Sequence, residues 1–299
     1  MIYDLIIIGA GPSGITSAIY SARKKLNFLV ISKDIGGQAA ITSDIQNYTG
    51  YQFISGAELA QKFEEHIKQY NITHKSEDVK KITKKGETFV VETDKEKYES
   101  KTVILSLGAK PKQLNVPGEK EFKNRGVTYC ATCDGPLFAD KIVAVVGGGN
   151  SAMEAAMQME KIATKVHLIT LNDDLVGEAV VIDKIKRSKK IELITKAKTK
   201  EIKGDVFVEK LVYEQEGKEK TLDVEGVFIE VGYAANSSIA ECEKNKWNEI
   251  VINSRCETSI PGMFAAGDCT NIPFKQIIIA AGQGSIAAMS AFEYLIKKK

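Results

Sequence analysis

The sequence predicts an α/β protein with two nucleotide-binding domains of the βαβ type. Two glycine-rich loops, at 9–14 and 147–152, each follow a short apolar segment rich in β-branched residues and precede a helix-like stretch. The chain has 299 residues, the length expected of about two domains. Hydrophobic residues make up 43% of it and charged residues 27%, which is typical of globular proteins and excludes the disordered and fibrous classes. Together these observations favour two Rossmann-like, three-layer domains.

The first loop has the form G-x-G-x-x-G, between a strand predicted at 3–8 and a helix predicted at 15–25. In this setting Gly9 permits a tight turn, Gly11 lets the backbone approach a pyrophosphate, and Gly14 lets the helix pack closely on the strand. The N–H groups at the start of the helix favour phosphate. The loop therefore predicts a dinucleotide site, and the alternative is a glycine turn that binds nothing.

The second loop has the related form G-x-G-x-x-A, with a strand predicted at 142–146 and a helix at 153–161. The alanine is small enough for the same close packing of helix on strand. A nucleotide-binding fold that has lost its ligand is the alternative here. The candidate nucleotide contacts are Gly147, Gly149, Asn150, Ser151 and Ala152.

Neither loop is followed by its usual ribose contact, which is an acidic residue about 20 residues on or a cation that binds a 2′-phosphate. After the first loop, the strand predicted at 27–31 ends at Ser32-Lys33-Asp34, so the acid is displaced. After the second, the strand predicted at 165–169 ends at Thr170-Leu171-Asn172-Asp173-Asp174, with two carboxylates and no cation. The second site therefore lacks the usual contact for NADH and for NADPH.

Two further strands, predicted at 102–107 and 224–231, end in glycine, and we interpret them as places where the chain crosses between domains. Near the C-terminus, Gly267-Asp268 precedes a helix-like stretch. This order places Asp268 at the edge of a cofactor site, where a carboxylate accepts hydrogen bonds from polyol hydroxyls.

Charge and hydropathy exclude several classes of partner. The net charge of +2 gives no electrostatic reason to expect a nucleic acid or a membrane surface. The first residues lack the basic region of a signal peptide, and the apolar run at 5–8 leads straight into glycines. No segment reaches the ~18 uninterrupted apolar residues of a membrane span. A cytoplasmic location is therefore expected.

The chain has five cysteines, and two of them, Cys130 and Cys133, form a C-x-x-C. This spacing places both sulfurs on one side of a helical first turn, where they can bridge reversibly and where a thiolate is favoured. The adjacent Asp134 is a carboxylate that can move a proton as thiol and thiolate interconvert. The alternative is a zinc site, which needs about four ligands, whereas the remaining cysteines and histidines are scattered. We therefore predict a redox dithiol and no metal.

The chain resembles, over nearly its full length, the low-molecular-weight thioredoxin reductases. It is also similar to the flavoprotein subunit of alkyl hydroperoxide reductase without that protein's N-terminal thioredoxin-like extension. The matching motifs are GAGPSG at 9–14, Gly36-Gly37-Gln38 with Asn47-Tyr48, VPGE at 116–119, CATCDGPLF at 130–138, GGGNSA at 147–152, GMFAAGDCT at 262–270 and KQIIIAAGQG at 275–284.

The resemblance implies an FAD-binding domain made of residues 1–112 and 245–299, with an inserted pyridine-nucleotide-type domain, 113–244, that carries the dithiol. It implies pyrophosphate contacts in the first loop, a cofactor lining at Gly37, Gln38 and Asn47, and a ribityl or pyrophosphate contact at Asp268. It also implies that the backbone of Gln276 and Ile277 faces the pyrimidine edge of the flavin. The implied FAD-binding residues are Gly9, Gly11, Pro12, Ser13, Gly14, Gly37, Gln38, Asn47, Gly267, Asp268, Gln276 and Ile277.

The implied activity is thioredoxin-disulfide reduction. Cys133 takes electrons from the flavin, Cys130 attacks the disulfide of a thioredoxin or glutaredoxin-like protein, and Asp134 is the acid. The family rotates one domain on its two linkers and is usually homodimeric. The segment that begins at Thr170 lacks the arginines of NADPH-using members, so the expected donor is NADH or, as in members without nicotinamide, reduced ferredoxin. The alternatives are a flavin-dependent oxidase of a small dithiol and a non-catalytic nucleotide-sensing or zinc-binding module.

Overall fold

The computed structural model of the chain describes residues 2–42, 45 and 47–298, and the side chains of residues 132 and 133 lie outside this description. The chain divides into two compact units, unit 1 (Met1–Lys110 and Ala234–Lys299) and unit 2 (Pro111–Tyr233). The boundaries lie at 110/111 and 233/234, whereas the sequence predicted 112/113 and 244/245. The second boundary comes earlier because residues 234–244 belong to unit 1, where the side chains of Ala240 and Cys242 are part of the hydrophobic core.

The N-terminal part of unit 1 contains most of its sheet and two of the helices described. Its elements are β1 (Ile2–Ile8), α1 (Pro12–Arg23), β2 (Phe28–Ile31), a 3-10 helix (Gly37–Ile41), α2 (Gly56–Gln69), β3 (His74–Lys75), β4 (Val79–Lys85), β5 (Thr88–Thr93), β6 (Lys97–Leu105) and β7 (Ala109–Pro111), which crosses into unit 2.

Unit 2 and the return to unit 1 follow in the chain. The elements of unit 2 are β8 (Val127–Thr128), α3 (Ala131–Asp134), a 3-10 helix (Gly135–Phe138), β9 (Ile142–Val146), α4 (Asn150–Glu160), β10 (Lys165–Ile169), α5 (Ala179–Arg187), β11 (Ile191–Ile194), β12 (Ala197–Gly204), β13 (Val208–Gln215), β14 (Lys218–Asp223), β15 (Gly226–Ile229) and β16 (Tyr233–Ala235), which crosses back. Unit 1 ends with β17 (Met263–Ala265) and α6 (Ile277–Lys297).

The sheet of unit 1 has the order β3-β2-β1-β6-β5-β4, and β17 pairs with β6. Strand β1 is parallel to β2 and β6, whereas β4, β5 and β6 form an antiparallel meander. Residues Leu5 to Ile8 are buried without alternation, because both faces of the strand are covered. Leu5 and Ile7 pack with the helices, whereas Ile6 and Ile8 pack with β4, β5 and residues of the 240–269 segment. Helix α1 packs on α6, where the Ser17 hydroxyl donates to the Gly284 carbonyl at 2.8 Å.

The main sheet of unit 2 is parallel and has the order β11-β10-β9-β15-β8, and β12, β13 and β14 form a separate antiparallel sheet. The apolar face of α4 packs into the core of this unit, with Ala152, Met153 and Met159 fully buried. In both units the strand that precedes the glycine-rich loop is central in the sheet. The next strand in the chain lies on one side of it, and a much later strand lies on the other side. Ligands of such sheets bind at the carboxyl ends of the strands at this switch point.

The helices after both loops begin earlier than the sequence predicted. Helix α1 begins at Pro12 rather than at residue 15, and α4 begins at Asn150 rather than at residue 153. The first helical turn lies inside each glycine motif, because the glycine before it takes the extended conformation of an N-cap. In α1 the first position is also a proline, which is favoured there. Each helix therefore directs its N-terminus at the crevice.

The two crossing strands, β7 and β16, pair with each other in a small two-stranded sheet. Among the residues described, no helix has both the length and the apolar character needed to cross a bilayer.

Candidate active site

The first glycine-rich loop lies between the end of β1 and the residue that follows β6. Gly9 has a φ of +101°, and a Cβ atom added there would lie 2.1 Å from the carbonyl oxygen of Ser106. A Cβ atom on Gly14 would lie 1.9 Å from the carbonyl oxygen of Gly9, so α1 approaches the loop only because residue 14 has no side chain. The N-cap of α1 is Gly11, whose extended backbone leaves the first N–H groups for an anion. The loop therefore has the geometry of a pyrophosphate cradle.

A second turn is held against this loop. The Gly36 N–H donates to the Ala10 carbonyl at 2.8 Å, and a Cβ atom on Gly37 would lie 3.4 Å from the Cα atom of Gly11. Gln38 follows in the 3-10 helix and is exposed. Gly37 and Gln38, both predicted cofactor contacts, therefore border the crevice of the first loop.

Asn47 and Gln276 come together although 229 residues separate them. The Asn47 side-chain amide donates to Gln276 Oε1 at 3.1 Å, and both side chains are exposed. Gln276 is the N-cap of α6, and Ile277 is its first residue. The structure thus joins predicted cofactor contacts from both ends of the chain at the start of one helix.

Gly267 and Asp268 follow β17 and lie at the first loop. A Cβ atom on Gly267 would lie 2.7 Å from Ser13 Oγ, and the Gly267 N–H donates to Gln283 Oε1 at 2.8 Å. Burial raises the pKa of Asp268, and the positive charge of Lys275 opposes that rise. A half-buried carboxyl at this point is suited to accept hydrogen bonds from the hydroxyls of a cofactor.

Ser106 is a residue of this crevice that the sequence analysis missed. It follows β6 directly, is buried, and contacts the Gly9 position through its carbonyl. Among the described residues its hydroxyl has no hydrogen-bond partner. A buried hydroxyl without a partner is costly, and the polar groups of a dinucleotide would satisfy it. The residues of the unit 1 crevice therefore fit FAD.

The dithiol segment lies in unit 2 between β8 and β9. Cys130 directly precedes α3 and is disulfide-bonded, and the side chain of Cys133 lies outside the described residues. The Cys130 N–H donates to the Thr128 hydroxyl oxygen at 3.2 Å, and this hydroxyl donates to the Asp134 carboxylate. Thr128, which the sequence analysis did not single out, therefore connects the predicted acid to the backbone of the predicted nucleophile.

The other three cysteines are free and buried in unit 1. Burial raises the pKa of Cys256 to about 11 and is the main cause that raises the pKa of Cys269 to about 11, so neither is a thiolate at neutral pH. Burial also raises the pKa of Cys242. Within the part of the chain that the structure describes, no group of three or more His, Cys, Asp or Glu side chains is placed to hold a metal ion.

The second glycine-rich loop repeats in unit 2 the backbone arrangement of the first. A Cβ atom on Gly147 would lie 2.1 Å from the carbonyl oxygen of Glu230, the same distance that separates the Gly9 position from the carbonyl of Ser106. Ala152 is fully buried where α4 packs on the strand. The two crevices therefore share a backbone plan but differ at the residue after the neighbouring strand, which is serine in unit 1 and glutamate in unit 2.

The segment after β10 is held close to the second loop. The Val176 N–H donates to the Gly148 carbonyl at 2.8 Å, and the Glu178 N–H donates to Asn150 Oδ1 at 3.3 Å. Gly149 faces open space, because no heavy atom among the described residues lies within 4 Å of a Cβ atom added there. The segment after β10 thus holds one side of the second loop, while the space around Gly149 at its centre is free.

The two carboxylates in the segment that begins at Thr170 pair with lysines in the folded chain. Asp173 lies 3.6 Å from Lys196 Nζ, and Asp174 lies 2.7 Å from Lys186 Nζ. The expectation of two carboxylates without a cation was therefore wrong for the folded chain, because two lysines from distant positions in the sequence offset them. Thr170 itself is buried and accepts a hydrogen bond at its hydroxyl, so no guanidinium stands at the strand end.

A family model described as pyridine nucleotide-disulphide oxidoreductase matches residues 3–285 of the chain. The chain is 40% identical over 300 residues to a protein named NADH dehydrogenase from Bacillus subtilis (strain 168). It is 39% identical over 307 residues to the F subunit of alkyl hydroperoxide reductase of Escherichia coli (strain K12). Both matches cover 99% of this chain and 59% of the relative, so the chain spans about three fifths of the length of these proteins.

Solved structures match over nearly the whole chain. The thioredoxin reductase from Lactococcus lactis gives a TM-score of 0.95 at 32% identity, covering 99% of both chains. The ferredoxin-flavin thioredoxin reductase from Clostridium acetobutylicum gives 0.55 at 36% identity, covering 99% of this chain and 98% of that one. These matches confirm the predicted fold class, the resemblance to low-molecular-weight thioredoxin reductases and the FAD cofactor. The chain belongs to the pyridine nucleotide-disulphide oxidoreductase family and is a flavoprotein with the fold of the thioredoxin reductases.

Proposed function

We propose that the chain is a flavin-dependent reductase of protein disulfides, whose substrate is a thioredoxin or a glutaredoxin-like protein. The observation that carries this proposal is the segment in which Cys130 is disulfide-bonded and Thr128 connects it to Asp134. The unit 1 crevice, with its pyrophosphate cradle and unpartnered Ser106 hydroxyl, supports the flavin half of the proposal.

FAD, when bound, supplies an electron carrier that accepts and releases electrons singly or in pairs. In the proposed site, Gly9, Gly11 and Gly14 let the backbone approach the pyrophosphate, and the N-terminus of α1 stabilises its charge. The carboxyl of Asp268 accepts hydrogen bonds from the cofactor's hydroxyls. Gln276 and Ile277 present the start of α6 to the flavin edge.

The protein residues then carry out thiol–disulfide exchange. The Cys130 thiolate attacks one sulfur of the partner's disulfide and forms a mixed disulfide, which Cys133 resolves as the Cys130–Cys133 bond forms again. Asp134 gives the proton that the departing thiolate of the partner needs, and the Thr128 hydroxyl keeps this carboxyl beside Cys130. The bond that Thr128 makes to the Cys130 N–H orients the same segment.

We infer that the electron donor is reduced ferredoxin or NADH rather than NADPH. A buried threonine stands at the end of β10, where a 2′-phosphate needs a cation, and Lys186 and Lys196 are engaged by Asp174 and Asp173. Similarity to a structure named ferredoxin-flavin thioredoxin reductase supports ferredoxin. Similarity to a protein named NADH dehydrogenase supports NADH, which the open centre of the second loop would admit.

One anaerobic experiment tests both parts of the proposal. The oxidised protein is mixed separately with NADPH, NADH and reduced ferredoxin, while bleaching of the flavin band and release of thiols from thioredoxin are followed. We expect bleaching by ferredoxin or NADH that is coupled to thiol release, and none by NADPH at micromolar concentration. Rapid bleaching by NADPH contradicts the donor assignment. Bleaching by any donor without thiol release from thioredoxin or glutaredoxin contradicts the assigned substrate, and oxygen consumption with a small dithiol would then favour a flavin-dependent oxidase.

A further inference from the structure

A glutamate occupies the crevice of unit 2 at the position that a serine occupies in unit 1. Glu230 follows β15 directly, its N–H donates to the Val146 carbonyl at 2.8 Å, and its own carbonyl lies against the Gly147 position. The equivalent residue in unit 1 is Ser106, whose carbonyl lies against Gly9. An ionisable side chain thus lies at the switch point of the unit 2 sheet. The proposed mechanism, whose acid is Asp134, gives this side chain no role.

The dithiol segment reaches this glutamate. Strand β15 is parallel to β8, with Phe228 opposite Thr128, so Glu230 follows β15 beside the strand end that leads into Cys130. The Gln158 side-chain amide donates to the Ala131 carbonyl at 3.4 Å, so α4 holds the next residue of the dithiol segment. Glu230 therefore lies next to the dithiol segment.

The surroundings of Glu230 favour its protonated form. Its side chain is half-buried, and burial together with the charge of Glu154 on α4 raises its pKa to about 8, while the Ala131 N–H opposes the rise. Glu154 is exposed, and its own pKa is raised by desolvation and by the charge of Glu178. The other acid of the segment, Asp134, is held by Thr128. Within the described residues, Glu154 from α4 and the dithiol segment are thus the groups that act on Glu230.

We propose that Glu230 is a second proton-exchanging residue of the dithiol centre, acting in addition to Asp134. The proposal rests on the proposed function, because it assigns a proton carrier to the dithiol that the reductase uses. Two electrons from a reductant, which is reduced flavin in the enzyme, break the disulfide and leave two sulfur anions. The Glu230 carboxyl gives its proton to one of them, which becomes a thiol, and then takes a proton from water. When the dithiol reduces its partner, Glu230 gives this proton back to water, the disulfide re-forms and the thiol proton passes to the Glu230 carboxylate.

The test measures thiolate reactivity and needs neither donor nor thioredoxin. The full-length protein is reduced with dithiothreitol, the reductant is removed anaerobically, and the rate of Cys130 alkylation by iodoacetamide is followed by mass spectrometry from pH 5.5 to 10. Glu230→Gln keeps the shape and the neutral charge of the protonated side chain. Wild type and E230Q are therefore expected to react alike below about pH 7. Above about pH 8 the ionised carboxylate of the wild type disfavours the thiolate, so E230Q should react about threefold to tenfold faster.

Two further variants separate this role from a structural one. Glu178→Gln removes an exposed carboxylate that acts on Glu154. Its alkylation profile should keep the inflection at the pH where the wild type has it. Glu154→Gln removes the charge that raises the Glu230 pKa, so the inflection of the profile should move below pH 8. Curves of E230Q and wild type that superimpose at every pH, or that differ by one constant factor, overturn the proposal, as does an inflection that Glu154→Gln does not move. A protein that alkylates as expected but does not reduce thioredoxin contradicts the proposed function and not this inference.

Discussion

Glu230 carries a stability prediction that does not depend on catalysis. In the folded chain its pKa is raised from an ordinary value of 4.5 to about 8, chiefly by burial and then by Glu154. The perturbation is Glu230→Gln, which cannot ionise. The matched control is Glu178→Gln, which removes an exposed carboxylate from the same unit.

The sign and the size of the effect follow from the two pKa values. Between pH 4.5 and about 8 the unfolded chain has lost the proton at residue 230, whereas the folded chain retains it. Unfolding therefore releases a proton in this window, and the stability contributed by the group is present below pH 4.5 and is lost as the pH rises through 8. At about 1.4 kcal/mol per pKa unit the loss is about 5 kcal/mol at most, and partial exposure of the side chain reduces it.

Thermal unfolding followed by circular dichroism from pH 5 to 9.5 measures this loss. The difference in Tm between E230Q and wild type should grow with pH up to about pH 8.5 and then level off, by a few °C for each kcal/mol. The E178Q variant should follow the wild type throughout. A difference between E230Q and wild type that is constant with pH, or that shrinks as the pH rises, would refute the argument that Glu230 is protonated in the folded chain.

The remaining predictions concern the dithiol segment and the unit 1 crevice. Cys130→Ser or Cys133→Ser should reduce thioredoxin turnover by more than about 10³-fold without loss of flavin absorbance, because the nucleophile or its resolving partner is gone while the unit 1 crevice is intact. Gly14→Ala should destabilise unit 1 by about 1–3 kcal/mol and lower the flavin content of the purified protein, because the new Cβ atom would lie 1.9 Å from the Gly9 carbonyl oxygen. Gly149→Ala in the second loop, where space is open, serves as its control and should retain full flavin content. Thr128→Val should lower turnover about tenfold and shift the acid limb of its pH profile, since Asp134 loses the hydroxyl that holds it; an unchanged profile would remove Thr128 from the mechanism.

Local sequence patterns were sufficient for much of the fold. The strands predicted at 142–146 and 165–169 have the same bounds as β9 and β10, because short apolar segments between polar ends and glycines have few alternatives in an α/β protein. The start of α1 was missed by three residues, since the sequence analysis treated the whole glycine motif as a loop, whereas Pro12 already begins the helix. Errors of this kind lie at the ends of elements and do not change the architecture.

The first loop and the C-x-x-C were predicted for a similar reason. Each is a contiguous motif whose chemistry depends on residues within a few positions of one another, as in Gly9 to Gly14 or Cys130 to Asp134. Residues whose roles depend on strand pairing carry no such signal. Ser106 and Glu230 are single residues after single strands, and only the pairing of β6 with β1 and of β15 with β9 places them beside a glycine-rich loop.

The sequence by itself determined the fold class and located the two glycine-rich loops and the C-x-x-C, because periodicity, glycine spacing and cysteine spacing are properties of neighbouring residues. The tertiary structure alone decided which distant groups meet. It brings Asn47 to Gln276, pairs Lys186 and Lys196 with carboxylates that the sequence left unpaired, and places Glu230 beside the strand that leads into the dithiol segment. Hydrogen bonds, ion pairs and pKa shifts depend on the distance between groups in space and on their burial. Neither can be calculated from the number of residues that separate the groups along the chain.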